Sequence, residues 1–420
     1  MPAKHQGREL ESLEIMEKAA RMYFIERHSQ EYIATKLQVK GGGPAISKIL
    51  DKAREQGVIA FDIDRSYGIV GTQEPNLRRQ LREKFEIHEA IVVGVDELTM
   101  DERLSDDYLH TALANQTGAH VAARIQPNDH VGIGSGRAVY QAVKAIKRMP
   151  PLRRGVRITP ISGRIWTHSW KVDGSKIERP LDADDAAFVL SLAFENEPGT
   201  RFSQVAYPLF VSSQQEAAEI MNTGCPFLPG AKWRFGIPKL ALVGVGTVDP
   251  RSGHRFADLY RSDKNIPELD RYLDLASIEL KAAIEFVQAA GLPHFSDITN
   301  RLFPTLPFPH EVEKPVLKKY TTAYNDLIRK LNRLNERMVV VEFNHLREIQ
   351  SVVAIAGGPF KIRALWTLLI TALIDPSKRI LTELTTDAES ARTLMATLEA
   401  YNVADLEIKT WYEAMTKTLF

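Results

Sequence analysis

Between Leu10 and Arg27, Leu13, Met16, Ala20 and Tyr23 recur at three- and four-residue spacing, which predicts an amphipathic helix. Ser29 is a suitable N-cap for a short second helix with Ile33, Ala34 and Leu37 turned inward. After Gly41-Gly42-Gly43, Pro44 suits the first turn of a third helix, with Ile46, Ile49, Leu50 and Ala53 packing on the first two. Gly57 is placed to end it. The segment VIAFDID then alternates Ile59, Phe61 and Ile63 with polar or small residues, as one strand of a small wing would. Three helices and a wing make residues 1–64 a winged helix-turn-helix head, and 65–76 reads as a linker. Within residues 77–420, Leu77, Leu81 and Phe85 mark a connecting helix. Apolar runs that end in glycine follow it, each giving way to a helical pattern: EAIVVGV, VGIGSG, VRITPISG, LALVGVG and VVAIAGG. Strand, glycine turn and helix in repetition predict an α/β domain with a largely parallel sheet. Residues 304–338 break the rhythm. The proline-rich PTLPFPHEVEKP leads into a charged helix carrying Leu327, Leu331 and Leu334 on one face, read as a helical insertion packed on its own domain or on a neighbouring subunit.

Composition narrows the classes. With 420 residues, 44% of them hydrophobic, the chain can bury a large core in more than one domain. Lys+Arg of 54 against Asp+Glu of 53 exclude a polybasic protein, so any affinity for nucleic acid must be local. Cys225 is the only cysteine and has no partner for an intrachain disulfide. No apolar run approaches the roughly 20 residues of a membrane span. The N-terminus shows no signal-peptide core. A cytoplasmic protein is expected.

The local charge sits in the head. Between Lys36 and Arg54 five cations, Lys36, Lys40, Lys48, Lys52 and Arg54, face one carboxylate, Asp51. Such residues contact phosphates, while side chains at the exposed start of a recognition helix read base edges. Lys40, Gly43, Ser47, Lys48, Lys52 and Arg54 are therefore the candidate DNA-binding residues. A charged helix standing alone is more often a solvated surface; the ordered head argues against that here.

The head and its downstream motifs resemble the SorC family of bacterial sugar-responsive, DeoR-like transcriptional regulators. AARMYF, SQEYIA and SKILDKAREQG stand where that family has its first helix, its Ser-Gln-x-x-Ile-Ala helix and its recognition helix. The family's Gly-x-Gly-x-Gly-Arg turn appears as Gly132 to Arg137, its Gly-x-Gly-x-x-Asp-Pro as GVGTVDP, and its Ala-Gly-Gly-x-x-Lys as AGGPFK. GLPHFSDITNRLF is a weaker match to its Gly-Asp-Ile segment. Two departures stand out: the glycines at 41–43 lengthen the turn before the recognition helix, and residues 304–338 extend the chain. The resemblance implies a large domain like the sugar-phosphate isomerase and CoA-transferase fold, binding a phosphorylated sugar or related metabolite. It also implies double-stranded operator DNA as partner and a homodimer or homotetramer.

Residue chemistry points the same way. In IGSGRAV, alternate glycines let backbone approach a ligand, the following helix start aims N–H groups at an anion, and Arg137 adds a forked cation. AGGPFK repeats the design with Lys361. The candidate effector residues are Gly134, Ser135, Gly136, Arg137, Ser162, Arg164, Asp249, Asp297, Gly357, Gly358 and Lys361. Glycines at strand ends are often purely steric, Asp249-Pro250 is also a common turn opener, and Asp297 is equally suited to capping a helix. The alternative is an isomerase-like enzyme of the same fold, which needs a positioned base. The sequence offers no acid/base pair, no P-loop, no HExxH and no metal-ligand spacing among its 11 histidines. Neither a cofactor nor a metal is expected.

Overall fold

The computed structural model describes residues 15–25, 28–55, 72–94, 102–148, 155–164, 182–194, 199, 201–203, 207–228, 232–248 and 271–420. The chain divides into two compact units, residues 1–67 and 68–420.

In the first unit, helical residues 15–20 (α1) run into a π-helical turn, Arg21–Ile25, and are followed by α2 (Gln30–Lys36) and α3 (Gly42–Glu55). Ser29 caps α2, its hydroxyl accepting the Tyr32 amide at 3.3 Å. Ala19, Ile33, Ala34, Ile46 and Leu50 form the small core. Met16 of the first helix is buried as expected, Ala19 is fully buried where Ala20 was expected, and Ala20, Tyr23, Leu37 and Ile49 pack at the margin of the core. The third helix opens at Gly42, two residues before Pro44. Left-handed φ angles of +107° at Gly41 and +62° at Gly42 turn the chain, and the Gly43 amide donates to Glu31 Oε1 at 3.0 Å. A Cβ on Gly43 would lie 2.8 Å from that oxygen, so glycine is what lets α2 cap α3. Leu13, Gly57 and the VIAFDID segment lie outside the described residues.

The second unit begins earlier than the expected linker allows. Strand β1 (Thr72–Gln73) pairs antiparallel with β2 (Glu89–Gly94), and Pro75 opens α4 (Pro75–Phe85) from its first turn. In chain order there follow α5 (Glu102–Arg124), β3 (His130–Ile133), α6 (Arg137–Lys147), β4 (Arg157–Pro160), α7 (Ala183–Ser191), β5 (Arg201–Phe202), α8 (Gln214–Thr223), the hairpin β6 (Phe227–Leu228) and β7 (Lys232–Trp233), and β8 (Leu240–Thr247). The remainder is α9 (Arg271–Ala290), β9 (Ser296–Ile298), β10 (Arg301–Phe303), α10 (Leu317–Asn335), α11 (Phe343–Glu348), β11 (Ser351–Ile355), α12 (Ile362–Ile374), β12 (Glu383–Asp387), α13 (Ala388–Asn402) and α14 (Leu406–Thr418).

The main sheet runs β1-β2-β12-β11-β8-β3-β4-β5, parallel from β2 to β5, and the β9–β10 hairpin adds antiparallel to the carboxyl end of β8. Alternate side chains feed two cores, as a sheet covered on both faces requires. Leu240 and Leu242 enter a core with residues of α5, α6 and α7, whereas Ala241 and Val243 enter a larger one with residues of α4, α9, α10, α12 and α13. The helix expected as an insertion belongs to that larger core. Tyr324, Leu327, Leu331 and Leu334 of α10 are buried in it, and the preceding Thr305, Leu306 and Pro307 are buried too. Chain order places a reversal between β3, which continues outward to β4, and β8, which continues the other way to β11. That is a topological switch point, where ligands of open α/β sheets bind beyond the strands' carboxyl ends.

Candidate functional site

Two of the glycine turns flank β8 at this switch point. After β3, the Gly134 amide donates to the Leu242 carbonyl at 2.8 Å, which ties the turn to β8. Gly136, with φ at +127°, precedes α6, whose start has no side-chain cap. Its first-turn N–H groups are therefore available to an anion. Ser135 is buried and its hydroxyl makes no hydrogen bond within the protein, while Arg137 is exposed at the helix start. On the other side, after β11, Gly358 has φ at +88° and opens a 3-10 turn, Pro359–Lys361, that leads into α12, again without a side-chain cap. Its amide donates to Asp387 Oδ2 at 2.8 Å, and a Cβ on Gly357 would meet the same oxygen at 2.7 Å. The hydroxyl of Thr247, at the end of β8, donates to the Phe360 carbonyl at 2.7 Å. Lys361 Nζ lies 3.2 Å from His110 Nε2 of α5.

The hairpin β9–β10 completes the floor. Its turn residues Thr299 and Asn300 both have positive φ, +46° and +78°. For a β-branched threonine this is a strained backbone, sustained by contacts on both sides: the Thr299 amide donates to the Gly244 carbonyl at 3.0 Å and its hydroxyl accepts the Ser135 amide at 3.2 Å. The space is closely fitted, since a Cβ on Gly134 would lie 2.5 Å from Thr299 Oγ1. Asp297 Oδ2 accepts the Asn300 amide at 2.7 Å, so Asp297 caps this turn and not a helix. Asn300 Nδ2 in turn donates to Ser162 Oγ at 3.2 Å, which brings Ser162 to the same hairpin. Thr247, Thr299 and Asn300 were not among the expected site residues; the polar run in SDITN was the trace that Thr299 and Asn300 left.

Other candidates fall elsewhere. Arg164 is taken up by the start of α7, its Nε 2.9 Å from Asp184 Oδ2 and 3.8 Å from Asp182 Oδ2. The Arg164 side chain thus sits among acidic residues at the start of α7. Asp249 lies outside the described residues. In the head, Lys40, Lys48 and Lys52 are exposed and Ser47 is half-buried. Gly43 is buried and its amide is held by Glu31, so it is not free for a phosphate. The side chain of Arg54 lies outside the described residues.

Two carboxylates at the site have backbone partners: Asp297 accepts the Asn300 amide, and Asp387 accepts the amides of Gly358 and Ser390. Burial pushes the Cys225 thiol up to about 12, far from a reactive thiolate. Among the described residues there is no group of three potential metal ligands and no helix long and apolar enough to cross a membrane.

Residues 72–175 match the Sugar-bind family model, described as "Putative sugar-binding domain". The sorbitol operon regulator of Klebsiella pneumoniae is 29% identical over 153 residues, which cover 36% of this chain and 45% of that protein. The aligned region thus spans less than half of this curated relative. Among solved structures, the full-length sorbitol operon regulator SorC from Klebsiella pneumoniae aligns over 91% of this chain and 98% of its own, at 20% identity and a TM-score of 0.49. A sugar-binding domain of a transcriptional repressor from Vibrio fischeri aligns over 78% and 100%, at 16% identity and a TM-score of 0.49.

Proposed function

We propose that this SorC/DeoR-like chain, whose residues 72–175 match a sugar-binding family model, is a transcriptional regulator whose affinity for double-stranded operator DNA is set by a phosphorylated sugar. The observation that carries this reading is the pair of uncapped, glycine-led helix starts on either side of β8 at the switch point. A phosphate seated there caps α6, with Arg137 and Lys361 supplying charge. The buried Ser135 hydroxyl and the Asn300 side-chain carbonyl offer polar groups for sugar hydroxyls. Lys40, Ser47, Lys48 and Lys52 of the head contact DNA, and pairing of chains as dimers or tetramers presents two recognition helices to two half-sites. The effector shifts operator affinity to the extent that it binds the two arrangements unequally.

The test is a calorimetric titration of the full chain with a panel of sugar phosphates, alongside a turnover assay on the same compounds. Saturable binding of one of them, lost in Arg137→Ala and Lys361→Ala and unaccompanied by turnover, supports the reading. Turnover of the bound sugar phosphate would replace it with an isomerase of the same fold.

A further inference from the structure

The opposite, amino-terminal edge of the sheet carries a second arrangement of charge. His130, Arg157 and Arg201 are the first residues of β3, β4 and β5, and the parallel register pairs His130 with Arg157 and Arg157 with Arg201. Register partners on neighbouring strands project to the same face, so the three side chains stand in a row. With Asn128 and Phe235 they line a cleft of about 530 Å³.

Two guanidinium groups on directly paired positions repel each other. Among the described residues, neither Arg157 nor Arg201 forms an ion pair. Asp129, which precedes His130, is held by Lys239 Nζ at 3.1 Å and by the Gln126 amide at 2.7 Å. His130 stays neutral at pH 7: burial and the Arg157 charge hold it down at about 4. The Arg157 fork is also oriented in advance, one nitrogen donating to the Phe235 carbonyl and the guanidinium lying 5.8 Å from the Phe235 ring centroid. The loops beside it are kept tight by Gly155 and Gly199, with φ of +69° and +83°; a Cβ on Gly155 would lie 2.3 Å from Asn128 Oδ1. A like-charged pair with no ion pair among the described residues, set in a concave surface, breaks a local rule of sheet design, and such breaks mark binding sites.

We propose that this amino-edge cleft is a second ligand site, which takes a small phosphate-bearing anion between Arg157 and Arg201. A phosphate accepts forked hydrogen bonds from both guanidinium groups and removes their repulsion. The site stands apart from the carboxyl-edge crevice and does not depend on the function proposed for it.

Inorganic pyrophosphate is the probe, titrated calorimetrically into the full chain in chloride buffer. Saturable binding is expected, weakened at least about tenfold in both Arg157→Gln and Arg201→Gln, because charge-assisted hydrogen bonds are lost in each. Lys361→Ala should leave that binding in place. Absence of saturable binding, equal affinity in the arginine variants, or loss confined to Lys361→Ala would overturn the proposal. A second readout needs no ligand: in anion-free buffer Arg201→Gln should melt no lower than the parent. A lower Tm there would contradict the repulsion on which the inference stands.

Discussion

Glu383 gives the sharpest stability prediction. It opens β12 almost fully buried, yet Oε2 receives the His120 imidazole at 2.7 Å and the Arg124 guanidinium, while Oε1 receives the Ser351 hydroxyl. Burial alone would raise its pKa; the bonds from His120, Arg124 and Ser351 outweigh burial and hold the carboxyl at about 2 against an ordinary 4.5. That difference corresponds to about 3 kcal/mol of folding free energy. The folded-state value is depressed, so the contribution is complete above pH 4.5 and is lost as pH falls toward about 2. In Glu383→Gln the shape is kept and the charge removed. Urea unfolding followed by tryptophan fluorescence reads the second unit alone, because all five tryptophans lie at or after residue 166. The variant should be about 3 kcal/mol less stable than the parent at pH 7, and the gap should close through the acid range. A gap of the same size at pH 7 and pH 2.5, or none at either, would refute the assignment of this carboxylate as a charged pin between α5 and the sheet.

Three further outcomes are expected. Gly134→Ala places a methyl group 2.5 Å from Thr299 Oγ1 and 3.2 Å from the Leu242 carbonyl, so calorimetry should show sugar-phosphate affinity down at least about tenfold while operator affinity without ligand is retained. Lys48→Ala should weaken duplex binding across sequences and lower the salt slope, log K against log[salt], by about 0.9, read by anisotropy at several salt concentrations; calorimetric sugar-phosphate binding should be unchanged. Tyr324→Phe removes a buried hydroxyl that donates to the Thr305 carbonyl at 2.7 Å, and denaturation should show a loss of about 1 kcal/mol.

How far the sequence carried the reading follows from the range of each interaction. Helix stripes and glycine turns are local, and they were legible: Ser29 caps α2, and Gly136 and Gly358 occupy positive-φ positions before their helices. What escaped depends on sheet order. Thr299 reaches Ser135 across 164 positions of sequence and Asn300 reaches Ser162 across 138, pairings that exist only because the hairpin docks on β8 beside β3. The acidic neighbours of Arg164 escaped for the same reason, since they lie about twenty residues on and cannot be told from any other acidic helix start. The proline-rich segment and α10 interrupt the strand rhythm, and the apolar stripe of α10 packs into the core of its own domain, one of the two placements expected of it. The Gly43 amide is held by the side chain of Glu31, twelve residues earlier, a contact the local pattern does not announce.

The central claim, that a phosphorylated sugar in the switch-point crevice controls DNA binding by the head, is tested most directly by fluorescence anisotropy. The full chain is titrated against duplex DNA from upstream of its own coding region, with and without the sugar phosphate found to bind it, in the parent and in Arg137→Ala. The account predicts that the ligand shifts the parent's affinity for this duplex over a scrambled control, and that Arg137→Ala binds the duplex normally but no longer responds. An affinity that the bound sugar phosphate leaves unchanged in the parent would contradict it.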